Sequence, residues 1–106
     1  MHDRSWSAVE KKLARQLFEK ALEDELAETL ATFKSKAQEA SLPEDMWAVR
    51  DFLSDRQRDI NSKYDYRYSQ LIFVFGRLLR ERRIRHEQLA GLDDDKRAMI
   101  ERTAGL

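Results

Sequence analysis

From Ser7 to Ala40 the chain meets neither glycine nor proline. Across that stretch Val9, Leu13, Leu17, Ala21 or Leu22, Leu26, Leu30, Phe33 and Ala37 recur every three to four residues, the spacing of one amphipathic helix. Ser7 and Glu10 have the spacing of a capping box at its start. At about 1.5 Å per residue the helix is a rod of about 50 Å. A compact globule of this chain length is only about 35 Å across. The rod outgrows the globule, so part of its apolar stripe stays wet unless a second chain covers it. A two-fold homodimer is the expectation.

The rest of the composition agrees with helices. There are three glycines and one proline in 106 residues, too few turn residues for a set of hairpins. No cysteine is present, which removes disulfides, thiolate metal sites and cysteine nucleophiles. Met1 to Ser7 is polar with no apolar stretch behind it, and no run approaches a membrane span. A soluble cytoplasmic protein without membrane or cofactor is expected. Twenty basic residues balance twenty acidic ones. Locally the balance breaks: residues 67–86 carry six arginines against one glutamate, while residues 42–66 carry four bases against six acids. Such asymmetry suits self-association or a mixed-charge partner, not nucleic acid.

Ser41-Leu42-Pro43-Glu44 repeats the capping-box pattern with proline in the first turn, and opens a second helix. Leu42, Met46, Val49, Leu53, Ile60 and Tyr64 form its packing seam against the first. Tyr68 to Arg83 reads as a helix with Leu71 to Phe75 buried and Gly76 allowing a neighbour's close approach. Tyr64, Tyr66 and Tyr68 are spaced too closely to share a helix face, so one should point inward and another outward. Gly91 ends a short piece after Gln88. Asp93-Asp94-Asp95 then opens a last helix, docked by Leu92, Met99 and Ile100.

On a helical wheel Trp47, Arg50, Asp51, Ser54 and Arg58 share an arc of about 100°, away from Met46, Val49 and Leu53. An indole beside paired charges is a protein-binding signature. The bland alternative puts Trp47 on the seam between chains, with the charges as solvated pairs. For Arg77, Arg80, Arg82, Arg83 and Arg85 a solvated face that also pairs with acids of another chain is favoured over phosphate binding. Helix capping is favoured over cation binding for Asp93 to Asp95. His2 and His86 are the only histidines, and no nucleophile–base arrangement, phosphate loop or paired-histidine motif accompanies them. No enzyme activity is expected.

Trp47, the run Asp51-Phe52-Leu53-Ser54, and Lys63-Tyr64-Asp65-Tyr66-Arg67 followed by Ile72-Phe73-Val74-Phe75 together resemble the fluorescence recovery protein family. Gly91-Leu92-Asp93 with Lys96 and Ile100 extends the resemblance. Trp6-Ser7 and Phe18-Glu19-Lys20-Ala21 carry it more faintly to the other end. The resemblance implies an all-α fold: long amphipathic helices, about residues 7–66, form a homodimer, and each protomer adds a small helical head, about residues 67–106. All of it is one domain. The dimer interface then falls on Leu26, Leu30, Phe33, Met46, Val49 and Leu53. The implied role is a non-catalytic regulator that binds the photoactivated orange carotenoid protein, mainly through that partner's C-terminal domain. It speeds the partner's return to the resting form and so ends photoprotective quenching.

Carried over by position, the family's partner-binding tryptophan, aspartate and head phenylalanine match Trp47, Asp51 and Phe73, with Arg50, Ser54, Gln57 and Arg58 beside them. Arg56 and Gln57 stand where the family has a basic pair, typically Lys-Arg. Arg50 replaces a frequent histidine, and Asn61 an aspartate. Glutamine cannot supply an arginine's charged fork; Arg58 lies on the same face. The alternative reading is a divergent homologue, a dimeric scaffold for an unrelated partner, possibly outside cyanobacteria.

Overall fold

The computed structural model describes residues 5–105; His2 lies outside them. Four helices follow in order: α1 (Ala8–Glu39), α2 (Pro43–Lys63), α3 (Leu71–Arg80) and α4 (Asp94–Ala104), with a 3-10 turn at His86–Leu89 before α4. Among the described residues there is no strand.

Local chemistry sets most of the boundaries. Ser7 caps α1 through the expected box: its hydroxyl accepts from the Glu10 N–H at 3.1 Å, and the Glu10 carboxylate accepts from the Ser7 N–H at 3.0 Å. Asp93 caps α4 by accepting from the Lys96 N–H. Gly105, at φ 83°, closes α4 in the left-handed conformation that glycine adopts without strain. At α2 the expected Ser41–Glu44 box is replaced. Leu42 is the cap, and the Asp45 carboxylate one residue further on accepts from the N–H groups of Ser41 and Leu42 at 2.9 and 3.0 Å. Pro43, as the first helical residue, moves the start by one position.

α1 and α2 form an antiparallel hairpin, and the rod sets the molecule's length: 53 Å against 27 and 26 Å in the other directions. The radius of gyration, 16.8 Å, exceeds the roughly 13 Å of a compact domain this long. The core lies entirely at one end. Trp6, just ahead of α1, and Ala14, Leu17, Phe18 and Ala21 of its first half pack against α3, Leu89, Leu92 and the Ile100 and Ala104 side of α4. Gly76 is where α3 and α4 meet: a Cβ there would lie 2.5 Å from Thr103 Cγ2. Beyond this head, from Leu26 to Asp59, not one residue is buried. Val9, placed on the apolar stripe by its spacing, is 71% exposed; Glu10, one step round the helix, takes the inward position.

One sequence expectation fails between α2 and α3. The helix spans Leu71–Arg80, not Tyr68 to Arg83, because residues 64–67 are not helical and 68–70 form a turn. The three tyrosines still divide as expected: Tyr64 and Tyr66 are half-buried against the core, and Tyr68 is exposed. In non-helical chain the alternate residues fall on one side, and Tyr64 and Tyr66 meet Phe18 edge-on at ring distances of 5.4 and 4.8 Å. Tyr68 completes the row between Tyr66 and Trp6. Phe73 is also misplaced by the sequence: it is 58% exposed while Leu71, Ile72, Val74 and Phe75 are buried.

Candidate protein-binding surface

The outer face of α2 presents the residues that the wheel brings together. Trp47 is 55% exposed, and the Arg50 guanidinium lies 5.2 Å from its ring centre, inside cation–π range. Arg50 also donates to Asp51 through Nε (3.3 Å) and Nη2 (3.1 Å). Indole, guanidinium and carboxylate thus form one exposed unit on a single helical turn. Further along, Arg58 is held by Asp55 at 3.2 Å. Ser54 and Gln57 line an open groove of about 550 Å³ between the two stalk helices, with Leu26 and Thr29 on one wall and Leu53 and Ile60 on the other.

Of the residues assigned to a dimer interface, Leu26, Leu30, Met46 and Leu53 are exposed, and Phe33 and Val49 half-buried. All six are accessible, so the Met46–Val49–Leu53 seam is only loosely covered by α1. Phe73 stands on the outward face of α3 in the head, a separate element from the α2 patch.

A buried ion network, missed in the sequence, fixes the end of α2 against the head. Glu25 is the hub: Lys63 Nζ lies 2.8 Å from both its carboxylate oxygens, Tyr64 Oη donates to it at 2.8 Å, and Arg56 and Arg83 reach it as well. Lys63 donates also to Glu81 (2.8 Å), and Arg77 joins Asp59 (2.8 Å) to Glu81 (2.9 Å). Burial pushes the Glu25 carboxyl up, but the bonds from Lys63, Tyr64 and Arg56 outweigh it and hold the group below its usual range. Burial and the bond to Glu25 push the Tyr64 hydroxyl well up. A second site ties down the start of the chain. Lys96 donates to the Ser5 carbonyl (2.7 Å), Asp93 (2.9 Å) and Glu10 (3.1 Å), with its ammonium 5.1 Å from the Trp6 ring centre.

One signal for the hub exists in the sequence. Glu25 falls at i+4 and i+7 from Ala21 and Phe18, an acid on the apolar stripe. The network also corrects the reading of the arginine cluster: Arg77 and Arg83 pair with acids of their own chain, Arg83 reaching Glu28 at 3.0 Å. Arg56, the first of the two positions where a basic pair was expected, is drawn inward to Glu25 and Asp59. The neighbouring Gln57 faces the groove without a charge.

The exposed His86 pairs with Glu101 at 3.1 Å. Among the described residues no group of three or more His, Cys, Asp or Glu could hold a metal ion, and no helix is long and apolar enough to cross a membrane.

Comparison with known proteins agrees along the whole molecule. Residues 6–104 match the family described as photoprotection regulator fluorescence recovery protein. The chain is 41% identical to the fluorescence recovery protein of Synechocystis over 101 residues, 95% of this chain and 93% of that one. Its fold superposes on the solved structure of the Fremyella diplosiphon protein with a TM-score of 0.92 at 36% identity, covering 96% of this chain and all of that one. The Synechocystis structure gives the same TM-score and coverage at 40% identity. The chain therefore belongs to the fluorescence recovery protein family of photoprotection regulators.

Proposed function

We propose that this protein is a homodimeric, non-catalytic regulator that binds the photoactivated orange carotenoid protein in the cytoplasm, mainly through that partner's C-terminal domain. It acts by preferring one conformation of its partner, speeding the return to the resting form and ending quenching; a binder shifts an equilibrium only through such a difference in affinity. The carrying observation is the Trp47–Arg50–Asp51 unit, exposed on a helix whose end is locked to the head by the Glu25–Lys63 network. Phe73, exposed on the head, supplies a second contact. No residue of the stalk from Leu26 to Asp59 is buried in one chain, which supports pairing with a second copy through Leu26, Leu30, Phe33, Met46, Val49 and Leu53. The test mixes the dimer with photoactivated carotenoid protein and follows dark back-conversion. A rate equal to the carotenoid protein alone overturns the assignment.

One observation favours a second reading. Gln57 offers no charge where the family carries an arginine, and the adjacent Arg56 is engaged inward. On that reading the protein is a divergent dimeric scaffold with an unrelated partner. Capture from source cells, lost with Trp47→Ala, together with no effect on back-conversion, would support it.

A further inference from the structure

The C-terminal turn of α3 sorts its arginines into two sets. Arg77 and Arg83 face the stalk and are neutralised by Asp59, Glu81, Glu25 and Glu28. Arg80 and Arg82 are exposed and have no acidic partner among the described residues. They stand on the rim of an open groove of about 580 Å³ whose floor includes the buried Leu79 and Ile84. The other ionisable groups of the rim are already committed: Glu87 to Arg85 at 3.1 Å, and His86 to Glu101 at 3.1 Å. Two free guanidinium forks therefore flank an apolar floor.

Backbone geometry gives an independent pointer. The Arg83 N–H donates to the Leu78 carbonyl (2.8 Å) and the Arg82 N–H to the Leu79 carbonyl (3.0 Å), a Schellman motif with Arg82 at its left-handed position. Arg82 has φ 62° and is the sole non-glycine residue at positive φ among those described. Glycine is the residue this position favours. A cation near the helix end complements the dipole, but Arg77 and Arg80 in the last turn already provide that. The motif requires the left-handed conformation but not an arginine, and a side chain kept there against that cost points to a use for it.

We propose that this groove is a docking site for a short acidic segment of a partner protein, with carboxylates on Arg80 and Arg82 and an apolar side chain seated on Leu79 and Ile84. Charge complementarity selects the occupant: a planar guanidinium binds a carboxylate through two parallel hydrogen bonds. The apolar floor gives a peptide side chain a seat that a phosphate backbone would leave empty, and two free cations are too few for a nucleic-acid track. Arg80 lies seven residues after Phe73, hence on the same face of α3, so the site extends the outward surface of the head. The site does not depend on the partner proposed above, because its test uses a peptide alone.

The probe is a fluorescein-labelled hexapeptide repeating Asp-Glu-Leu, titrated against the dimer while the arginine Nε–H signals are followed by NMR. Saturable binding at or below about 1 mM is expected, with the signals of Arg80 and Arg82 shifting and affinity falling as salt rises. Arg80→Gln and Arg82→Gly should each weaken binding about tenfold. Arg82→Gly relieves the backbone, so its loss of binding cannot come from unfolding; a thermal melt of the same sample checks this. The proposal is overturned by absence of saturable binding, by shifts confined to other arginines, or by unchanged affinity in Arg82→Gly. Equal affinity for hexaglutamate or for a short RNA also overturns it, since the site would then be a generic cationic patch.

Discussion

Lys63 Nζ and Glu25 form a nearly water-free ion pair, 2.8 Å from nitrogen to either oxygen, with side chains only 2% and 1% exposed. It joins α1 to α2 through residues 38 apart in sequence, at the point where the stalk enters the head. Removing one member strands the other charge out of water. Glu25→Ala should cost about 3 kcal/mol in urea unfolding. The double variant Glu25→Leu with Lys63→Met should lose less than either single change, because no buried charge of that pair is left alone.

Acid should dismantle the same region. Burial pushes Glu25 up, yet Lys63, Tyr64 and Arg56 hold it below the usual 4.5. Glu10 is lowered chiefly by the Ser7 N–H, against burial, with Asp93 and Lys96 adding to it. Carboxyls with depressed folded-state values bind fewer protons folded than unfolded, so their stabilisation is complete above the unfolded value and lost as pH falls through the folded one. The urea midpoint should be level near neutrality and fall below about pH 4.5. Glu25→Gln should flatten that fall.

Two backbone positions should respond in opposite directions. Arg82→Gly relieves a left-handed residue and should raise stability by about 1 kcal/mol. Gly76→Ala places a Cβ 2.5 Å and 2.6 Å from Thr103 Cγ2 and Cβ and should cost about 1–3 kcal/mol. Thr103→Ala removes the first contact but not the second, and so should restore only part. Thermal melts at fixed protein concentration measure all three.

Surface and interface separate by substitution. Trp47→Ala, at a site 55% exposed, should move stability by less than about 0.5 kcal/mol while lowering the rate of carotenoid-protein recovery. Leu30→Glu or Leu53→Glu should instead yield monomers in light scattering, by placing a charge in the proposed dimer seam.

What the sequence makes legible is local. Ser7 and Asp93 start helices as side-chain caps because each needs only the next three residues. The small size of Gly76 announces a close approach without naming Thr103. Phe73 was hidden because α3 is apolar on most of its circumference, and only packing chooses which aromatic faces out. The tyrosine row is not legible at a helical period of 3.6, because the non-helical chain there alternates. Lys63 and Lys96 read as surface lysines, since a buried lysine is unusual and its justification lies in partners remote along the chain. At the candidate site, the Trp47–Arg50–Asp51 unit was visible as a wheel pattern, whereas the diversion of Arg56 into the Glu25 network was not.

The stalk, in which no residue from Leu26 to Asp59 is buried, has a thermodynamic corollary. Order there is borrowed from whatever lies against it, so in the proposed dimer it follows mass action: diluting the protein tenfold near the dissociation constant weakens the stalk and leaves the head intact. Trp47 sits in that borrowed region. Its availability as a rigid contact is then set by how much of the protein the cell makes, and synthesis alone becomes a control on recognition.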